Sequence, residues 1–192
     1  LIDATPTGQP VQAWLVAAHA FVRRYGLGAA KPAPMPLATH LASGYLQRAP
    51  TLAALAAQCG IDAAALEATV ERYNAQARSG HDDDFAKGET PYNRVQGDAS
   101  RGLPNPCMAP LARGPYYAVR VVPGSLGTFA GLACDAQARV LGADGAPIAG
   151  LYAAGNDMAS IMQGHYPSGG ITLGPAMTFG FLAAQHAAAA GH

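Results

Sequence analysis

The residues whose types and spacing could do chemistry lie between Gly150 and Gly180, in the run GLYAAGNDMASIMQGHYPSGGITLGPAMTFG. A short apolar strand, Leu151 to Ala154, runs directly into Gly155, where the missing side chain lets a ligand approach the backbone closely. A loop then carries Tyr166 and Pro167, and the Gly169-Gly170 pair leads into a helix that starts near Thr172 to Pro175. The first N–H groups of a helix have no partner inside it, and with the positive end of the dipole they favour negative charge. A helix start of this kind, aimed at a group that becomes negative when it takes up electrons, stabilises the reduced state of that group. The same Gly-Gly pair is also the signature of an ordinary tight turn.

Neighbouring side chains carry two readings each. Tyr166 is either a hydroxyl donor to a ligand or a packed aromatic whose hydroxyl satisfies a backbone group. His165 reads as a structural histidine bonded to its loop rather than an acid or base. Met158 and Met162 read as pocket padding. Away from this segment, His81, Asp82, Asp83 and Asp84 place four potential ligands in a row. Adjacent side chains diverge, and a calcium loop alternates its acids around a central glycine, so a solvated acidic turn is expected and no metal site. Cys59, Cys107 and Cys134 lack paired spacing, which excludes a disulfide framework and a zinc site and fits reduced thiols in a cytoplasmic protein.

The elements that must hold these residues are legible in part. Val11 to Tyr25 is apolar and suits a strand followed by a helix, although periodicity does not decide. Lys31 to Pro36 carries three prolines and must be an extended loop. Thr51 can cap a short helix with Leu52, Leu55, Ala56 and Cys59 on one face, ended by Gly60. Asp62 caps a longer one with Leu66, Val70, Tyr73 and Ala77 in a stripe, ended by Gly80. Together they make a helical hairpin that needs a partner surface. Lys87 to Pro115 shows little periodicity and reads as a long ordered loop that covers something. Strands follow at Tyr116 to Val122, Leu132 to Cys134, Arg139 to Leu141 and Leu151 to Ala154, with a hairpin turn at Asp144-Gly145. Pro175 suits the first turn of the last, buried helix, because its missing N–H needs no partner there. Helices first, then strands, then one helix is an α+β layout with a boundary near Arg113.

Composition narrows the functional classes. The 192 residues are 50% hydrophobic and 12% charged, with formal net charge zero. No basic excess exists to hold a nucleic-acid backbone, no apolar run suits a membrane span, and no secretory signal is visible. Leu1 to Pro10 is turn-rich and starts abruptly.

The Gly150 to Gly180 segment resembles the C-terminal flavin-binding motif of the fumarate reductase and 3-ketosteroid dehydrogenase superfamily. Leu151-Tyr152-Ala153-Ala154-Gly155 is similar to the signature of the whole group. Asn156, His165-Tyr166-Pro167 and Gly174-Pro175-Ala176-Met177-Thr178-Phe179-Gly180 are closer to the ketosteroid 1-dehydrogenase branch. The resemblance continues through Asp84-Phe85, Gly88-Glu89, Gly114-Pro115-Tyr116-Tyr117, Pro123-Gly124 and Gly127-Thr128.

The resemblance implies FAD, held here by Gly155, Asn156, Asp157, Gly169, Gly170, Ile171, Thr172 and Leu173. It implies part of a catalytic, substrate-capping domain over 1–112, and over 113–192 the C-terminal strands and helix of an FAD-binding domain. The family's Rossmann turn, Gly-x-Gly-x-x-Gly, does not occur in the sequence. A second chain or a missing N-terminal segment is expected to carry it. Fumarate reductases place His before Thr at the match to Gly127-Thr128 and Arg in the loop matching Tyr166 to Gly170, as clamps for a dicarboxylate. Gly127 and Tyr166-Pro167-Ser168 stand there instead, which points to a neutral ketone.

In the ketosteroid branch the matching Tyr166 hydroxyl and Gly170 N–H bind the substrate carbonyl, stabilise the enolate and acidify the adjacent C–H. A base removes that proton and hydride passes to flavin N5. The base is another tyrosine, which no motif places on Tyr25, Tyr45 or Tyr92, and a position before residue 1 is the other expectation. Dehydrogenation beside a ketone of a 3-ketosteroid or another cyclic ketone is therefore the expected activity. The alternatives are an ene-reductase of the fumarate reductase type and a non-catalytic subunit or fragment that completes a partner's flavin site.

Overall fold

The apolar run around Trp14 resolves into β1 (Ala13–Ala18) followed at once by α1 (His19–Tyr25), in a computed structural model that describes residues 5–125 and 127–191. The expected turn at the start is present from Pro6, whose carbonyl accepts from Gln9 N–H at 3.1 Å, and residues 1–4 lie outside the described ones. The chain divides into two compact units, Leu1–Pro123 and Gly124–His192.

In the first unit, β1 pairs antiparallel with β3 (Tyr116–Val121), and β3 pairs antiparallel with β2 (Leu46–Ala49), so β3 is central. Its period of two divides its side chains between two faces. Tyr117 and Val119 join Ala17, Val22, Leu27 and Leu46 in one buried cluster, beneath α1 and the short α2 (Ala38–Ala42). Ala118 joins Ala49 and Leu55 on the other face, with Trp14, Val16 and Tyr116 packed around them. There the sheet meets α3 (Leu52–Cys59), which is followed by α4 (Ala63–Ser79).

This is the expected helical hairpin with its expected stops. Thr51 Oγ1 accepts from Ala54 N–H at 3.1 Å and Asp62 Oδ1 from Ala65 N–H at 2.6 Å. Gly60 and Gly80 end the two helices in the left-handed region, at φ +66° and +81°, where a side chain is strained.

The acidic turn is not simply solvated. Asp82 is buried, and its carboxylate accepts from the N–H groups of Asp84, Phe85 and Lys87, each at 3.2 Å. It folds the chain back on itself, because a carboxylate gathers several donors at once. Asp84 pairs with Arg72 at 3.0 Å and His81 stands 3.0 Å from Glu89.

The segment from Lys87 to Pro115 holds more regular structure than its composition suggests, namely α5 (Pro91–Val95) and a 3-10 turn at Ala99–Arg101. It is anchored by Asn105, 2% exposed, whose Nδ2 donates to Lys87 O at 2.7 Å and Gly80 O at 3.2 Å and whose Oδ1 accepts from Cys107 N–H at 2.9 Å.

The second unit holds the hairpin of β4 (Arg139–Leu141) and β5 (Pro147–Tyr152), a 3-10 turn at Gly155–Asp157, and α6 (Leu173–Ala189). Gly145 turns the hairpin at φ +78°, as its place after Asp144 predicts. Two strand expectations shift. Leu132 to Cys134 makes only isolated bridges, to Met158 and Val140, and the strand expected at 151–154 begins at Pro147 and ends at Tyr152. The expected burial of the last helix is also corrected, because no residue of α6 is buried. The helix is apolar around most of its circumference, and this unit covers only part of it. Leu173, Met177 and Phe181 stand 70%, 74% and 61% exposed along one stripe.

Candidate active site

The glycine-rich segments of the second unit are brought together by a zipper of backbone bonds. Leu132 N–H donates to Asp157 O at 2.8 Å, Ala159 N–H to Leu132 O at 2.9 Å, and Ser160 N–H to Phe129 O at 2.9 Å. Gly131 allows this approach, since a Cβ there would lie 2.5 Å from the Met158 carbonyl carbon. Thr128 Oγ1 donates to Asn156 O at 2.9 Å, tying the start of the same loop to the turn after β5.

From the other side, α6 passes over Gly155. A Cβ on Gly155, at φ +65°, would meet Ala176 Cβ at 3.1 Å. Further along, Tyr152 hydroxyl and His186 Nδ1 are 2.8 Å apart and link the end of β5 to α6.

Between these pieces lies a cavity of about 300 Å³. Of the residues expected at the site, Gly155, Asn156, Tyr166, Ile171 and Thr172 line it. Asp157, Gly169, Gly170 and Leu173 adjoin it in the chain without forming its wall. Gly170 takes φ +96° and its carbonyl accepts from Gly174 N–H at 2.7 Å, so it starts the first turn leading into α6. Among the described residues no acceptor takes the N–H of Ile171, Thr172 or Leu173, and Ile171, Thr172 and Pro175 face the cavity. This is the polarised helix start expected from the sequence.

Tyr166 is half exposed on the cavity wall. His165 donates its N–H to Met162 O at 3.1 Å and does not line the cavity, whereas Met158 is buried and does.

Ser125, Phe129, Ser160 and Ile161 also line the cavity and were not singled out in the sequence. Ser125 and Phe129 lie in a stretch without periodicity that the backbone zipper brings to the motif, whereas Ser160 and Ile161 lie inside it. The lining contains no Asp, Glu, Lys, Arg or His. A polar but uncharged wall can orient a carbonyl or an amide and offers no counter-ion to a carboxylate.

The first unit contains a larger cavity, of about 830 Å³, lined among others by Trp14, Phe21, Tyr25, Tyr73, Asp98 and Met108. At its rim Tyr25 hydroxyl donates to Asp98 Oδ2, which also accepts from Arg24 Nε at 3.0 Å, while Ser100 Oγ donates to Asp98 Oδ1 at 2.5 Å. These donors, the Ser100 hydroxyl first, hold the Asp98 carboxyl well below the usual carboxylate range. Burial pushes the Tyr73 hydroxyl up. Of the other tyrosines weighed as a base, Tyr45 hydroxyl accepts from Ala29 N–H at 2.8 Å and Tyr92 is 57% exposed. Among the described residues no three His, Cys, Asp or Glu gather as a metal site, and no helix is long and apolar enough to cross a membrane.

Residues 2–173 match the family model described as an FAD binding domain. The chain is 46% identical to a 3-oxosteroid 1-dehydrogenase of Mycobacterium tuberculosis over 94% of its own length and 32% of that protein's. It is 43% identical to a 4-oxocyclohex-2-ene-1-carboxylate 5-dehydrogenase of Sinomonas cyclohexanicum, over 91% of its length and 30% of that protein's. A crystal structure of the 3-ketosteroid delta1-dehydrogenase from Sterolibacterium denitrificans, in complex with 1,4-androstadiene-3,17-dione, aligns with a TM-score of 0.87 at 46% identity, over 94% of this chain and 32% of that one. The chain thus spans about a third of the length of the relatives it matches.

Proposed function

The chain belongs to the FAD binding domain family, and on that premise we propose that it forms part of an FAD-dependent oxidoreductase that dehydrogenates a carbon–carbon bond next to a ketone. The substrate is a 3-ketosteroid or another cyclic ketone. The observation that carries this reading is the cavity of the second unit, which joins Tyr166, the turn after β5 and the start of α6 behind an uncharged wall.

The residues fit the cofactor. Gly155 lets the turn after β5 pack against α6, where a Cβ would meet Ala176 Cβ at 3.1 Å. Gly127 lets its loop approach Asn156 Nδ2, which a Cβ would meet at 2.8 Å, so the backbone around the cavity is held close. The open N–H groups before α6 suit a group that gains negative charge on reduction. Gly155, Asn156, Asp157 and the run Gly169, Gly170, Ile171, Thr172 and Leu173 would hold FAD. When bound, FAD supplies the acceptor for the electrons and hydrogen that leave the substrate.

The chain's own part in the chemistry is to bind and polarise. Tyr166 hydroxyl and Gly170 N–H donate to the substrate carbonyl oxygen. Charge that develops there as the adjacent proton leaves is met by two donors, which acidifies that C–H. The pyrophosphate-binding Gly-x-Gly-x-x-Gly comes from a further region or a second chain, because the sequence lacks it. We assign the first unit, to Pro123, to the substrate-capping part and the second, from Gly124, to the FAD-binding part, a boundary later than the one expected near Arg113 because β3 is the central strand of the first unit's sheet. The three free thiols support a cytoplasmic location.

The test is a substrate panel on the FAD-loaded protein. With an artificial electron acceptor, a 3-oxosteroid and a neutral monocyclic ketone are expected to turn over. With a reduced donor, fumarate is expected to remain. Turnover of fumarate alone contradicts the reading.

A further inference from the structure

α6 carries one titratable side chain, and that side chain has a partner. Neither α6 nor β5 contains an Asp, Glu, Lys or Arg, and His186 stands alone in an otherwise apolar helix end. Its imidazole is half-buried, and Nδ1 lies 2.8 Å from the Tyr152 hydroxyl, with 5.8 Å between the two ring centroids. A half-buried polar ring costs free energy unless it is bonded, and the tyrosine hydroxyl meets it.

The place of this bond matters more than its strength. Tyr152 is the last residue of β5, three positions before Gly155, where the turn at the cavity begins. α6 meets that turn a first time at Ala176, whose Cβ is 3.1 Å from where a Cβ of Gly155 would stand. It meets the strand end a second time at His186. The helical repeat puts the two contacts ~15 Å apart along the axis and ~80° apart around it. A rod held at one point can tilt and spin about that point. Held at two points that differ in height and in angle, it can do neither. The end that is thereby fixed is the start of α6, ~6 Å beyond Ala176 on the same repeat. There Ile171, Thr172 and Pro175 face the cavity, and the N–H groups of Ile171, Thr172 and Leu173 have no acceptor among the described residues.

We infer that Tyr152 and His186 are positioning residues, whose hydrogen bond sets the direction of α6 and so aims its start at the cavity. Neither residue lines the cavity, and both act through the helix. The inference rests on the reading of that cavity as a flavin site, and not on the ketone. With Ala176 as the pivot, a movement of ~1 Å at His186 turns into roughly 0.4 Å at the helix start, from the ratio of the two arms. The open N–H groups and the positive end of the dipole favour the negative charge of a reduced flavin. A misdirected start therefore weakens the hold on reduced flavin more than on oxidised flavin.

The experiment measures the midpoint potential of the bound flavin by anaerobic titration, in the FAD-loaded protein with the region that carries the Gly-x-Gly-x-x-Gly turn present. Tyr152→Phe removes the hydroxyl and keeps the ring in place. Reduced flavin is expected to be held about 3–10-fold less tightly relative to oxidised flavin, a fall of ~15–30 mV for a two-electron couple. His186→Leu should give the same fall, and the double variant no more than either single one. His186→Gln, whose amide can meet the hydroxyl again, should recover most of it. An unchanged potential in Tyr152→Phe overturns the inference, and so do single falls that add in the double variant. Absence of flavin from the unmodified protein contradicts the flavin reading, and the inference with it. No ketone is present in the titration, so the result does not depend on the substrate assignment.

Discussion

At the scale of single residues, the site is built from what is missing as much as from what is present. Gly127 does not take a left-handed backbone, so its need for glycine is steric: a Cβ would lie 2.8 Å from Asn156 Nδ2. Gly127→Ala is expected to push the Asn156 amide aside and weaken flavin retention by about 1–3 kcal/mol, the usual cost of overpacking, with flavin titration as the measurement. Asn105 plays a purely structural part. Asn105→Ala leaves two carbonyls and one N–H unmet in a buried place and is expected to cost about 2–3 kcal/mol in denaturant unfolding. Asp98 gives a pH signature. Its folded pKa lies below its unfolded one, so its contribution is full above the ordinary carboxylate value of about 4 and is lost as pH falls through the lower folded value. The stability difference between the protein and Asp98→Asn should therefore shrink only in strongly acidic solution, and a difference that grows there contradicts the assignment. Tyr166, Gly155 and Asn156, which line the cavity, were legible because their motif is contiguous. Ser125 and Phe129 were not, because a backbone zipper between distant segments brings them there.

At the scale of elements, legibility follows the locality of the forces. The helical hairpin was readable because each cap and stop is decided within a turn of the chain. Thr51→Ala is expected to destabilise by about 1 kcal/mol in thermal unfolding, through loss of the bond to Ala54 N–H. Elements of four or five residues such as α2, β2 and α5 have too few turns or alternations for a period to show. β5 was placed too late because Pro147 and Gly150, at φ +74°, look like strand breakers. They are tolerated in a two-stranded hairpin, where both strands are edges. The burial of α6 was misjudged for a different reason. An apolar helix states that something covers it, not that the cover lies in the same stretch of sequence.

At the scale of the whole molecule, the described residues leave apolar surface exposed on both units. The stripe of Leu173, Met177 and Phe181 on α6 is exposed, and one side of β1 has no paired strand among the described residues. The chain covers about a third of its relatives' length, and the proposed function assigns its cavity one side of a flavin site. The contribution proposed for this chain is the uncharged wall, the helix start and the Tyr166 hydroxyl. The most direct measurement of that contribution is anaerobic bleaching of the bound flavin by a 3-oxosteroid, comparing the protein with Tyr166→Phe. Losing one donor to a developing oxyanion costs about 10²–10³ in rate. The variant should therefore keep its flavin and bleach slower by that factor; bleaching at the unaltered rate would contradict the placing of the ketone on Tyr166.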